Sequence, residues 1–147
     1  MAKSIQKEYE KDFYAWTTHN AKLLREGKLS EIDVENIAEE IESMGKSDKR
    51  ELISRLAVLL AHLLKWEFQS ERRGNSWKYT IKEQRFRLQD LLKDSPSLKK
   101  SLEENLNHAY EHALVIAVGE TDLSERAFPK KCPFSLQQAL DKDFLPG

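Results

Sequence analysis

Two glutamates and three cationic or titratable groups are spaced so that they could do chemistry together. Glu39 and Glu42 are three residues apart, so on a helix their carboxylates share one face. His62 and Lys65 have the same spacing within the most apolar stretch of the chain. Because a buried lysine needs a partner, we expect Lys65, His62 and Arg85 to meet the Glu39–Glu42 face in one partly buried network. Such a pair of carboxylates could also hold a divalent cation or act as acid and base.

A basic segment rich in aromatic residues follows the apolar stretch. Residues 65–93 carry a net charge of +4, whereas residues 26–44 carry −6. Cations interleaved with aromatic rings are typical of a nucleic-acid surface, which makes Trp77 and Arg85 candidates for binding. Trp77 also has the spacing of a core residue, and the acidic segment could neutralise the basic one. Pairing within the chain is therefore the preferred interpretation.

Two further groups give weaker signals. His108 and His112 have the i, i+4 spacing that can bind a transition metal, but no third ligand is evident and the glutamate of the metalloprotease motif is missing. Cys132 follows Lys131, whose charge could lower the pKa of the thiol. Packing explains this cysteine equally well, since no ordered Cys/His/Asn arrangement accompanies it.

Composition predicts an all-α protein. Gly and Pro together number nine of 147 residues, and 20 Leu exceed the 15 Val, Ile and Thr combined. A net charge of −1 excludes a global electrostatic footprint for nucleic acid or an anionic membrane. One cysteine excludes an internal disulfide and suits a reducing compartment. With no long apolar run and no signal-like N-terminus, we expect a soluble cytoplasmic protein without membrane contact.

Apolar periodicity and capping residues predict a bundle of four to five helices in a single domain over residues 1–147. The predicted helices cover residues 9–25, 30–45, 47–70, 76–92 and 96–119. The third helix is apolar on nearly every side, which predicts a central position. Residues 1–8 are expected to be loose. Residues 120–147 contain three of the four prolines and are expected to form an irregular C-terminal strap with one short helix at 135–141.

Core positions follow from the same periodicity. The predicted core residues are Ile37, Ile41 and Met44 on the second helix, Leu56, Leu60 and Leu63 on the third, and Phe128, Phe134, Leu136, Leu140 and Phe144 in the strap. Gly45 is predicted to end or bend the second helix, and Ser47 with Asp48 to cap the third.

Eight ordered segments carry a resemblance to a known family. They are YEKDFYAW (9–16), EEIESMG (39–45), HLLKW (62–66), SWKYTI (76–81), QR (84–85), PSL (96–98), ET (120–121) and FP with CP (128–133). Together they are similar to the bacterial domain-of-unknown-function family 29, which is common in cyanobacteria, over almost the whole chain. The resemblance implies a compact helical bundle and brings no established reaction, ligand or catalytic residue.

Two functions from different classes remain open. The preferred one is a non-catalytic protein-interaction or regulatory module that needs no cofactor and acts through a protein partner or as a homodimer, because no complete catalytic constellation is visible. The alternative is a metal-dependent hydrolase or nuclease that acts on nucleic acid or another phosphate ester with Mg²⁺ or Mn²⁺. Its site would consist of the metal ligands Glu39, Glu42 and His62, the phosphate-binding Lys65 and Arg85, and Trp77 lining the cleft.

Overall fold

The computed structural model describes the backbone of residues 2–147 and the side chains of residues 4–147. Within them the chain forms seven α-helices and no strand, which confirms the predicted all-α class. The helices are α1 (Ala2–Lys11), α2 (Phe13–Arg25), α3 (Val34–Phe68), α4 (Asn75–Asp94), α5 (Leu98–Glu104), α6 (Leu106–Glu120) and α7 (Leu136–Leu140). Contacts divide the chain into two compact units that meet within α3, between Lys46 and Ser47. The assignment of both units to one domain stays a prediction.

The first unit begins with two helices where one was expected. The predicted helix over residues 9–25 is interrupted at Asp12, whose carboxylate accepts a hydrogen bond from the Ala15 amide at 3.1 Å and so caps α2. Residues 2–8, expected to be loose, belong to α1. Their order has a packing reason, because Ile5 is buried in a small apolar cluster with Trp16 and Leu23.

Helix α3 runs without a break through Gly45, so the predicted stop and restart at residues 45–48 is wrong. A glycine inside a helix costs only about 1 kcal/mol relative to alanine, which the neighbouring turns can offset. The helix begins after Asp33, whose carboxylate faces the Asn36 amide at 3.4 Å, and not at Ser30. Every residue from 41 to 51 is exposed, so the prediction that Ile41 and Met44 lie in the core is also wrong.

The second unit is built on the C-terminal part of α3. Leu56, Leu60 and Leu63 are fully buried there, as predicted. The predicted fifth helix is divided into α5 and α6 at Asn105, whose side-chain amide donates to the Ser101 carbonyl at 2.7 Å. That local bond competes with regular helix geometry.

The C-terminal strap packs on this core as expected. Phe128 and Phe134 are buried, and α7 begins with a capping box between Ser135 and Gln138. The remaining predicted anchors are partly buried against the same core: Leu136, Leu140 and Phe144.

Candidate functional site

The side chain of Lys65 is 95% buried and forms an ion pair across the second unit. Its Nζ lies 2.7 Å from Oε2 of Glu120, the last residue of α6, and 5.0 Å from the centre of the Trp77 ring on α4. The side chain of Glu120 is 51% exposed, so this carboxylate keeps contact with water while it neutralises the ammonium. The negative face of the indole ring adds a second favourable interaction with the cation.

The partner expected for Lys65 was therefore wrong. Glu120, and neither Glu39 nor Glu42, accepts its hydrogen bond. Sequence reasoning could not assign this partner, because 55 positions separate the two residues and only the fold brings them together. The one available signal was the position of Glu120 at the end of an apolar helix.

His62 lies one turn before Lys65 and is half-buried. Its Nδ1 is 2.9 Å from the Val58 carbonyl oxygen. Since a carbonyl only accepts hydrogen bonds, Nδ1 carries a proton. Burial lowers the pKa of His62, and the positive charge of Lys65 lowers it further, whereas the Val58 carbonyl and Glu120 act in the opposite direction. The imidazole is thus neutral at pH 7.

Arg85 also finds a partner other than the acidic face. Its side chain is buried between α4 and α7, where Nε donates to the Ala139 carbonyl at 2.8 Å and Nη2 to the Gln138 carbonyl at 3.4 Å. Burial lowers the pKa of the guanidinium, while Asp141 and Asp143 raise it. The predicted placement of Arg85 against Glu39 and Glu42 is wrong, since a buried guanidinium here satisfies the open carbonyls of a short helix.

The two acidic candidates on α3 are exposed. Neither Glu39 nor Glu42 forms an ion pair with any side chain that the structure describes. Glu40, which lies between them in the sequence, has a structural role, because it accepts a hydrogen bond from the Tyr9 hydroxyl. This bond raises the pKa of Tyr9 to about 12.

No group of three or more His, Cys, Asp or Glu side chains among residues 4–147 is arranged to hold a metal ion. His108 and His112 are both exposed on α6. The ligand set Glu39, Glu42 and His62, like the use of Mg²⁺ or Mn²⁺, stays a prediction. Over the helices that the structure describes, none is long and apolar enough to cross a membrane.

Of the two interpretations of Cys132, the structure favours packing. Burial raises the pKa of its thiol, which is the opposite of activation. The side chain packs against the core of the second unit, and Sγ donates to the Phe134 carbonyl at 3.3 Å.

A buried polar network in the first unit was not predicted. The Trp16 indole donates to the Asp33 carboxylate at 2.9 Å, and the Asp33 amide donates to the Asn20 side chain at the same distance. Asp33 also accepts a 2.7 Å hydrogen bond from the Asn36 side chain. These bonds hold the start of α3 against α2, so the network has a structural role.

An apolar seam on the first part of α3 consists of Val34, Ile37, Ile41 and Met44. Ile37 packs partly against the core of the first unit. Ile41 is 63% exposed, Met44 is 67% exposed and Val34 is similarly open. Alternating steps of three and four residues place all four side chains on one face, which is the spacing of helices that pair. This α3 seam is a largely exposed apolar face of the first unit.

The comparison with known proteins identifies a family for the chain. A family model described as "Domain of unknown function DUF29" matches residues 8–145. No curated protein and no solved structure matches the chain. The match extends over nearly the whole chain and includes the Lys65 ion pair, the Arg85 contacts and the α3 seam. The chain therefore belongs to the DUF29 family.

Proposed function

We propose that the chain is a protein-interaction module that associates with a second copy of itself through the α3 seam. The observation that carries this proposal is the exposure of Ile41 and Met44 on a helix segment whose other exposed residues are mostly charged. An apolar stripe with flanking charges is the usual surface of a paired helix. Burial of such side chains supplies the driving force, at about 25 cal/mol for each Å² of apolar surface.

Charge along α3 favours a second copy in the antiparallel orientation. Glu39 and Glu42 precede Gly45, whereas Lys46 and Lys49 follow it. When two copies of α3 cross near this glycine in opposite directions, the acidic segment 35–42 of each lies alongside segment 46–50 of the other, in which three cations outnumber one aspartate. A parallel pair would instead place like charges together, which is destabilising.

Gly45 supports a close crossing. A Cβ atom added at this position would meet nothing within 4 Å, so the space beside the backbone is open. Helix axes approach to about 8–10 Å, and the distance depends on the side chains at the contact. Such a crossing is two-fold symmetric, so that each copy presents the same α3 seam to the other.

Sedimentation velocity over a concentration series tests the association. The wild-type chain should form a dimer whose population rises with concentration, while Ile41→Glu and Met44→Glu should remain monomeric with unchanged helicity by circular dichroism. Val115→Glu is the matched control, because Val115 is an equally exposed apolar residue on α6. A wild-type chain that stays monomeric throughout the series would contradict the proposal.

We also propose a cytoplasmic location for this module. Its single cysteine, half-buried and without a partner for an internal disulfide, suits a reducing compartment. Fractionation of cells that express the tagged chain tests this location, and recovery outside the cytoplasm would contradict it.

A further inference from the structure

A groove in the second unit gives Arg85 a role beyond anchoring α7. Its volume is 510 Å³, within the range of small-molecule sites. The lining consists of Lys82, Arg85, Phe86 and Gln89 on α4 and Leu140 and Lys142 at and after the end of α7. This Arg85 groove shares no residue with the α3 seam.

The groove is built for a negative charge. Three of its six lining residues are cations and none is a carboxylate. Arg85 uses Nε and Nη2 on backbone carbonyls, whereas its Nη1 has no hydrogen-bond partner among the residues that the structure describes. Asp141 and Asp143 are the nearest opposing charges. The Asp141 carboxylate is engaged within its own turn, where it accepts from the Asp143 amide at 2.9 Å.

The groove also offers a flat apolar surface. Phe86 is 68% exposed, and Leu140 adds aliphatic surface beside it. An exposed ring next to lysines suits stacking of an aromatic base, because every base has a π-face and stacking needs no enclosed tunnel. The lysines supply mobile point charges for phosphate oxygens, and the buried guanidinium supplies a fixed one.

We infer that the Arg85 groove binds a phosphate group that carries an aromatic base, with the base stacked on Phe86 and the phosphate held by Lys82, Arg85 and Lys142. This chemistry has two sources, a free nucleotide and a single-stranded nucleic acid. A free nucleotide would lie entirely within the groove. A single strand would extend beyond the groove and would release more counterions on binding.

Isothermal titration calorimetry with adenosine monophosphate, adenosine and ribose 5-phosphate tests the inference. The nucleotide should bind at least tenfold more tightly than either fragment, because both the base and the phosphate contribute. A ten-nucleotide single strand, titrated at two salt concentrations, distinguishes the sources. A strand that binds more tightly and with a steeper salt dependence than the nucleotide identifies nucleic acid as the ligand, and equal affinities identify the free nucleotide.

Variants link the binding to the groove without disturbing the fold. Phe86→Ala should weaken nucleotide or strand binding about tenfold, in line with the loss of one stacked base. Lys82→Ala should also weaken it and reduce the salt dependence. The matched control is Tyr14→Ala, since Tyr14 is an exposed ring on α2 that does not line the groove. Absence of binding by nucleotide and strand alike, or an affinity unchanged in Phe86→Ala, would overturn the inference.

Discussion

Removal of the Glu120 carboxylate should destabilise the protein much more than removal of the Lys65 ammonium. The two groups are bonded to each other, but their surroundings differ. Lys65 is 95% buried, whereas half of the Glu120 side chain is exposed. Glu120→Ala leaves a cation in the core with only the Trp77 ring beside it, while Lys65→Met leaves a carboxylate that water can solvate.

The exposure of the two side chains determines how much the two losses of stability should differ. Breaking a buried ion pair by removal of one partner costs about 3–5 kcal/mol. Water near the exposed half of Glu120 screens the remaining charge, so we expect Glu120→Ala to cost about 2–3 kcal/mol. Lys65→Met replaces the lysine stem with apolar volume and should cost no more than about 1 kcal/mol. Glu120→Gln keeps an oxygen acceptor and should lie between the two.

Urea unfolding of the four variants of a double-mutant cycle measures both costs and their coupling. The double variant Lys65→Met/Glu120→Ala should be close to Lys65→Met, which corresponds to a coupling of about 2 kcal/mol. The matched control is Glu83→Ala on α4, because Glu83 forms an exposed pair with Arg87 and should cost under about 1 kcal/mol. Equal losses in Glu120→Ala and Glu83→Ala, or additive single effects, would refute the reasoning.

Three further predictions concern stability. Because burial lowers the pKa of His62, the unfolded chain binds the proton more tightly, so stability should fall as the pH drops below about 6.5 and level off below the folded-state pKa. His62→Gln should flatten this part of the pH profile of the urea midpoint, and an unchanged profile would contradict the assignment. Leu60→Ala removes a fully buried side chain and should lower the unfolding free energy by about 2–5 kcal/mol in the same assay; a loss under about 1 kcal/mol would show a looser core. Asp12→Ala should lower it by about 1 kcal/mol through loss of the α2 cap, whereas Asp12→Asn should retain most of it; equal losses in both would exclude a capping role.

Features that depend on local sequence could be predicted. The apolar C-terminal part of α3 and the short helix α7 are encoded in neighbouring residues, and both were found where expected. The break at Asp12 was equally local but was missed, because the apolar period continues across it and conceals the cap. The prediction that Gly45 ends or bends the helix was wrong, because a helix interior tolerates a single glycine at a modest cost in stability.

Partners of buried charges could not be predicted in the same way. Lys65 and Arg85 were recognised as residues that need partners, yet the nearest acidic cluster in the sequence provides neither. Lys65 pairs with a carboxylate 55 positions away, and Arg85 donates to backbone carbonyls. A sequence pattern does not show which backbone carbonyls lack a partner within a helix. Ile41 was assigned to the core because periodicity shows which face is apolar and not what covers that face.

Disulfide trapping at the α3 seam tests the proposed self-association most directly. In a Cys132→Ser background, Met44→Cys places a thiol at the crossing point, where two antiparallel copies would bring the Cα atoms within the roughly 4.4–6.8 Å that a disulfide needs. Val115→Cys on α6 is the control, since it is equally exposed and distant from the seam in sequence. We predict rapid, nearly complete covalent dimer formation for Met44→Cys under mild oxidation and little for Val115→Cys. Equal, slow crosslinking of the two variants would contradict the pairing of two chains through α3.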